Sequence, residues 1–171
     1  MDNLYSKAKP SLQSWQTPPA LFKQLDNEFA FTVDAAASAE NALCAKYWDE
    51  EIDGLAQDWS TERAFCNPPF GKARLWVAKG ATAEVAVLLI PAAVDTRWWY
   101  EFVLPSVAEI RFIKGRVAFF KDGKQDARGA AAPIGCTLLV WRNGHSKLAP
   151  IVTWGYTWPG RPPGWIQSTH L

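Results

Sequence analysis

The 171-residue chain is poor in the side chains that usually hold metals or move protons. It has two histidines, His145 and His170, and three widely spaced cysteines, Cys44, Cys66 and Cys136, with no Cys-x-x-Cys pair. So scattered and odd a set supports neither a disulfide framework nor a zinc site, and the cysteines are read as buried thiols with no metal expected. Neither histidine has an evident catalytic partner, so chemistry that needs a strong base is not expected. No stretch approaches the ~18 to 20 apolar residues of a membrane span, and Met1 to Pro10 lacks both the apolar centre and the cleavage site of a secretory signal. A cytoplasmic protein without membrane contact is expected. The glycines of a dinucleotide-binding fingerprint are also missing, and there is no internal repeat or low-complexity segment.

Acidic residues are absent from one part of the chain. Residues 127–171 hold Arg128, Arg142, Lys147 and Arg161 but none of the 17 acids, although the whole chain balances to +1. The acidic part suits a cationic small molecule and the basic part a polyanion. Four charges over so long a stretch is a low density, so the asymmetry supports a nucleic-acid partner without establishing one. What is abundant is apolar and aromatic: 49% hydrophobic, with ten tryptophans. Most of these belong in the core. Trp154, Trp158 and Trp165, set among prolines and glycines, are the candidates for exposed stacking. The length suits one domain over 1–171, with 1–12 a mobile arm and 155–171 a Pro/Gly/Trp-rich tail.

Periodicity predicts alternating helices and strands. Thr17-Pro18-Pro19 reads as a helix start, followed by Leu21, Phe22, Leu25 and Phe29 at helical spacing. Phe29 to Val33 reads as a strand ending on Asp34, with the small-residue turn Ala35-Ala36-Ala37-Ser38 leading into a short helix through Leu43. A strand, an acid and then tiny side chains suit a small-molecule crevice at the carboxyl end of a parallel strand. Asp49 to Asp58 is an acidic loop, Ala64 to Cys66 a buried strand, Lys72 to Ala83 a helix, and Val85 to Ile90 a second buried strand. Asp95 is expected to cap a helix through Phe102. Glu109 to Ile113 and Val117 to Phe120 read as strands joined at Lys114-Gly115-Arg116; after a loop at 123–133, Thr137 to Trp141 and Ile151 to Trp154 read as strands. The expected fold is a three-layer α/β sandwich, Rossmann-like, parallel at first and antiparallel late.

Asn67-Pro68-Pro69-Phe70 breaks the strand that precedes it. Each proline fixes φ and removes an N–H, and Asn67 is pushed out of the helical region, so the corner is stiff and rich in acceptors. An exocyclic amine on an aromatic base is a poor nucleophile because its lone pair is delocalised into the ring. Accepting both its N–H bonds, at the Asn67 side-chain oxygen and the Pro68 carbonyl, favours the pyramidal form that can attack. Phe70 is placed to lie against the base.

With these residues in hand, the chain from about Trp15 to Trp141 resembles the small phage-type DNA N6-adenine methyltransferases. The resemblance rests on Trp15-x-Thr17-Pro18, Val33-Asp34-Ala35-Ala36-Ala37-Ser38, Asp53-Gly54-Leu55 with Asp58-Trp59, Asn67-Pro68-Pro69-Phe70, and Gly115-Arg116-Val117-Ala118-Phe119. It implies S-adenosylmethionine as cofactor and a DNA adenine flipped out of the duplex as substrate. Thr17 and Pro18 then lie by the methionine end of the cofactor, while Asp34, Ala36 and Ser38 belong to the segment replacing the usual Gly-rich loop. Asp58 and Trp59 border the cofactor adenine, and Arg116 and Phe119 help hold the target base. Asn67, Pro68, Pro69 and Phe70 are the catalytic set, and a monomer is favoured.

Only 32 residues lie between Asp34 and Asn67, so the second strand of such a fold must be short or absent. That leaves the ribose-binding acid between Asp49 and Glu50. No separate recognition domain fits, which assigns sequence selectivity to residues 121–133 and the C-terminal segment. Two alternatives stay open: methylation of RNA guanine or protein glutamine, which the same motif type serves, and a non-catalytic nucleic-acid-binding module on a decayed methyltransferase fold.

Overall fold

The computed structural model describes residues 15–121, 124–125, 135–142 and 151–156. The expected arm at 1–12, the 126–133 part of the selectivity loop, and Trp158 and Trp165 lie outside the described residues. Two α-helices, α1 (Pro19–Phe29) and α2 (Ala73–Gly80), accompany eight strands. These are β1 (Val33–Asp34), β2 (Arg63–Cys66), β3 (Val85–Pro91), β4 (Glu109–Ile113), β5 (Phe120–Lys121), β6 (Lys124–Gln125), β7 (Cys136–Arg142) and β8 (Ile151–Tyr156). Six of them form one mixed sheet in the order β1-β2-β3-β7-β4-β8, and β5 and β6 make a separate ribbon. β1, β2 and β3 run parallel, with Asp34 opposite Phe65 and Cys66 opposite Leu88. β7 is antiparallel to both β3 and β4.

Alternation along the central strands assigns the two faces. Val85, Val87 and Leu89 of β3, with Leu138 and Val140 of β7, pack with Leu21, Phe22, Leu25 and Phe29 of α1. Ala86, Leu88, Ile90, Leu139 and Trp141 pack on the opposite side with Trp76 and Val77 of α2 and with Trp99 and Val103. Every residue of β3 is buried, as a strand covered on both faces must be. Among the described residues no helix is long and apolar enough to cross a membrane.

Several expectations are corrected. Residues 29–32 are not a strand: α1 continues to Phe29, Ala30 closes it in the left-handed region at φ 48°, and the Asp26 carboxylate accepts the Phe31 N–H at 2.8 Å. The alternating aromatics that suggested a strand instead place Phe29 and Phe31 in a 5.7 Å stack at the helix end. No helix forms at 38–43, because side chains satisfy its amides: Asn41 Oδ1 accepts from Ser38 N at 2.7 Å and the Asp34 carboxylate from Leu43 N at 3.1 Å. α2 ends at Gly80, preceded by a tight turn over Phe70–Lys72. Asp95 caps nothing. The chain beyond it is a widened π-helical turn over Trp99–Val103, and the Thr96 hydroxyl donates to the Ala93 carbonyl at 2.7 Å. The strand expected at 117–120 is reduced to β5, because Phe120 pairs with Gln16 through two 2.9 Å backbone bonds. The short second strand survives as one parallel bridge between Tyr47 and Asp34.

At the C-terminal end of α1, the carboxylate of Glu28 receives both terminal nitrogens of Arg111 of β4, at 2.7 and 2.5 Å, and Arg142 of β7 at 3.1 Å. Both guanidinium groups lie over the Phe29 ring, at 5.1 and 4.6 Å from its centroid. Phe29 is fully buried. Phe29→Ala should therefore lower unfolding free energy by about 3–5 kcal/mol in a denaturant titration, the upper range for an aromatic truncation, because it leaves a cavity and removes this shared face.

Candidate functional site

The carboxyl ends of β1 and β2 carry Asp34 and the Asn67 corner side by side, because Asp34 pairs in register with Phe65, two residues before Asn67. The segment 15–17 crosses above them. A cleft of about 300 Å³, counted to its open mouth, lies between, lined by residues that include Trp15, Thr17, Asp34, Ala36, Asn41 and Asn67. The structure thus brings together Thr17, Asp34, Ala36 and Asn67 from segments far apart in the chain. Gln16, Asn41 and Leu43 also line it and were not foreseen. The only signal for Asn41 was a polar residue in a stretch read as helix.

Asn67 is half-buried and its amide nitrogen donates to the Trp15 carbonyl at 2.9 Å. That bond orients the amide and leaves Oδ1 as the acceptor. The Pro69 carbonyl is used by the Lys72 N–H at 2.9 Å, whereas no donor among the described residues takes that of Pro68. Phe70 packs edge-on against Trp15 at 6.3 Å and Phe119 at 5.9 Å, and Trp15 stacks on Phe119 at 5.3 Å. Phe119 is almost fully buried, so it supports Trp15 and Phe70 from beneath.

Asp34 is buried, and burial lifts its carboxyl to about 6 against the pull of N–H donors from Leu43 and Ala36. No basic side chain among the described residues pairs with it. A buried carboxylate facing a cleft without a cation of its own is suited to a cationic ligand. Ala35, Ala36 and Ala37 keep the wall beside it low. Ser38 is next in the chain but does not line the cleft; its hydroxyl donates to Glu40 at 2.6 Å. Pro18 is buried behind Thr17, where its carbonyl accepts from Leu21 and Phe22 and starts α1.

Three other positions lie elsewhere. Asp58 is exposed and its carboxylate accepts from the backbone and hydroxyl of Ser60. Trp59 is fully buried on the α2 face, with Trp48 at 5.8 Å and Trp76 at 6.3 Å, and its indole N–H donates to the Gly54 carbonyl at 2.8 Å. Arg116 is exposed beside Gly115, whose φ of 78° makes the turn after β4. None of the three lines the cleft. Asp49 accepts from the N–H groups of Glu51 and Ile52, tying its own loop, and Glu50 is exposed.

The parallel strand ends, the buried acid and the proline corner define a mixed α/β protein with a cleft at the carboxyl ends of its parallel strands. The family model described as DNA N-6-adenine-methyltransferase (Dam) matches residues 6–155, and the chain belongs to that family. It is similar to the DNA N-6-adenine-methyltransferase of Escherichia phage T1, with 29% identity over 120 residues covering 67% of this chain and 50% of that protein. It is also 36% identical over 63 residues to "Putative methyltransferase YfdM" of Escherichia coli K12, covering 33% of this chain and 69% of that protein. The matched part of the chain thus spans half the length of the phage protein.

The Asp34 shift gives a signed prediction. Above pH 6 the folded protein holds a carboxylate that burial disfavours, so Asp34→Asn should stabilise it by about 1–3 kcal/mol. Between about 6 and the ordinary carboxylate range near 3.8, the folded state binds more protons than the unfolded, and wild-type stability rises as pH falls. The advantage of the variant should vanish below about pH 4. Parallel denaturant titrations at pH 7.5 and 3.5 check this, and an advantage that persists at pH 3.5 would count against the assignment.

Proposed function

We propose that this chain is a Rossmann-like S-adenosylmethionine-dependent methyltransferase acting on the N6 amine of adenine in DNA, with Asn67 to Phe70 holding the amine. The observation that carries the reading is the Asn67 amide, oriented by the Trp15 carbonyl at the rim of a cleft floored by Asp34. Family membership supports the reaction class.

When bound, S-adenosylmethionine supplies an electrophilic methyl carbon on a sulfonium. Asp34 answers that group's positive charges, and the small side chains of 35–37 leave room for it. Thr17 flanks the same end with Pro18 behind it, and Ser38 lies just past the wall, its hydroxyl held by Glu40. Asn67 Oδ1 and the Pro68 carbonyl accept the two amine N–H bonds, so the nitrogen lone pair turns toward the methyl carbon. A rigid corner contributes by orientation and fixed dipoles, which cost no reorganisation at the moment of transfer. Transfer would form the N–C bond as the methyl–sulfur bond breaks, the sulfonium leaving as a neutral thioether, and the methylated nitrogen, then strongly acidic, would give one proton to solvent.

Phe70 and Trp15 present aromatic surface to a base that has left the duplex. Stacking of ~1–3 kcal/mol per base offsets much of the unstacking cost. Trp59 is placed one layer below the cofactor wall, and Asp58 and Arg116 on the surrounding surface, where Arg116 suits a phosphate better than a base edge. The chain is proposed to act as a monomer.

Asn67→Ala should leave S-adenosylmethionine binding within about threefold of wild type and lower methyl transfer to unmethylated duplex DNA at least a hundredfold, the scale of losing an oriented polar group at a reacting centre. Transfer of labelled methyl to DNA, RNA and protein substrates in parallel, with calorimetry for the cofactor, makes the measurement. Label in RNA or protein alone, or full activity in the variant, would overturn the reading.

A further inference from the structure

The segment assigned to the cofactor has no glycine, yet the structure places a glycine directly against its backbone. A Cβ built on Gly54 would lie 2.2 Å from the Ala35 carbonyl oxygen and 3.2 Å from the outer edge of the Trp76 ring. The first distance is far inside contact, and the obstacle is backbone that cannot swing aside, so only glycine permits the approach. Ala35 is held from the other side as well. Its N–H donates to the Phe65 carbonyl of β2 at 2.8 Å, and two residues on the Ala37 N–H binds the Trp48 carbonyl at 3.1 Å.

Gly54 is itself fixed. The loop around it is tied by Asp49, which accepts the Ile52 N–H at 2.9 Å, and by a 2.9 Å bond from the Ala56 N–H to the Asp53 carbonyl, with Asp53 in the left-handed region at φ 53°. The fully buried Trp59 donates its indole N–H to the Gly54 carbonyl. Trp76 closes the opposite side by shape alone, its own buried N–H finding no acceptor among the described residues.

We propose that Gly54 is the positioning glycine of the cofactor site, supplied from a separate loop: its missing side chain lets residues 53–55 brace the Ala35 carbonyl and thereby set the Asp34–Ala37 wall, and Trp59 holds it there. The inference rests on the cofactor reading above. It gives Asp53-Gly54-Leu55 and Trp59 one shared task, performed through backbone contact one layer beneath the ligand. A glycine inside the 34–38 wall is then unnecessary, because the close approach that glycine permits is made from the partner segment.

Three variants test it: Gly54→Ala, Trp59→Phe, which removes the indole donor while keeping an aromatic ring, and Gly80→Ala as a control. Gly80 is a buried glycine of α2 whose added Cβ would press on Trp141 and Leu88 at 3.1 to 3.2 Å, and none of these three residues lines the cleft. Gly54→Ala should raise the calorimetric Kd for S-adenosylmethionine at least tenfold and Trp59→Phe about threefold or more, with hydrogen exchange accelerated at the amides of 35–37. Gly80→Ala should lower the melting temperature and leave both readouts unchanged.

Wild-type cofactor affinity and exchange in Gly54→Ala would overturn the inference. So would an equal loss of affinity in Gly80→Ala, which would make the effect one of general stability. Should Gly54→Ala not fold, Trp59→Phe decides by the same two measurements, and unchanged values there overturn it. A wild-type protein that binds no S-adenosylmethionine defeats the cofactor reading, while the exchange comparison still decides whether Gly54 sets the wall.

Discussion

A single hydrogen bond from the Asn67 amide to the Trp15 carbonyl joins residues 52 positions apart and closes the cleft. Beside it, the segment before α1 is held by the Gln16 and Phe120 backbone pair and by the packing of Trp15 on Phe119 and Phe70. The bond fixes which way the asparagine amide faces, while the upper wall of the cleft is held independently by the Gln16–Phe120 pair and the start of α1. An isolated bond of this kind contributes only about 0.5–1.5 kcal/mol net to stability. Its weight lies in orientation, since an amide free to flip would present a donor where an acceptor is required.

The charge at the floor of the cleft works in the opposite energetic direction. Asp34 is held where its ionised form is disfavoured, with backbone N–H groups for company and no cation among the described residues. A fold selected for stability alone would place an amide or an apolar residue there. Such a local violation of good packing is expected where a ligand completes the electrostatics. The same residue also organises its neighbours: its carboxylate captures Leu43 N, and its backbone pairs with Lys46 and Trp48 across the bridge at Tyr47. The acid that costs stability is thus also the one that shapes the turn around it.

Much of the sheet was legible because β2, β3 and β7 are largely apolar runs bounded by clear breakers and β4 alternates charged with apolar residues, and their limits fall within a residue or two of those expected. The errors cluster where side chains compete with backbone. Phe29 to Val33 has the alternation of a strand, but Ala30 adopts a left-handed cap and Asp26 takes the Phe31 amide, an arrangement no period reveals. Residues 38–43 have helical composition, yet Asn41 and Asp34 satisfy the amides a first helical turn would leave open. Within the site, Thr17, Asp34, Ala36 and Asn67 were readable as residue types in order along the chain. Asn41 and Gln16 were not, because their part depends on which segments cross the strand ends. Trp59 shows the limit most clearly: its neighbourhood with Asp53 and Gly54 is visible in sequence, but that its ring lies buried beneath a glycine requires coordinates.

The two ends of α1 connect these observations. Its first turn begins on the Pro18 carbonyl beside Thr17 at the cleft, and its last residues, Glu28 and Phe29, are clamped by Arg111 of β4 and Arg142 of β7. Eleven helical residues rising about 1.5 Å each form a strut of roughly 16 Å between that arginine clamp and the cleft wall. Between those ends Leu21, Leu25 and Phe29 are fully buried against β3 and β7, so the strut cannot roll without exposing its apolar face. The proline that opens it removes a donor that would otherwise need a partner at the cleft. Placement of Thr17 therefore depends on packing along the whole helix, and the upper wall of the site inherits the rigidity of the core.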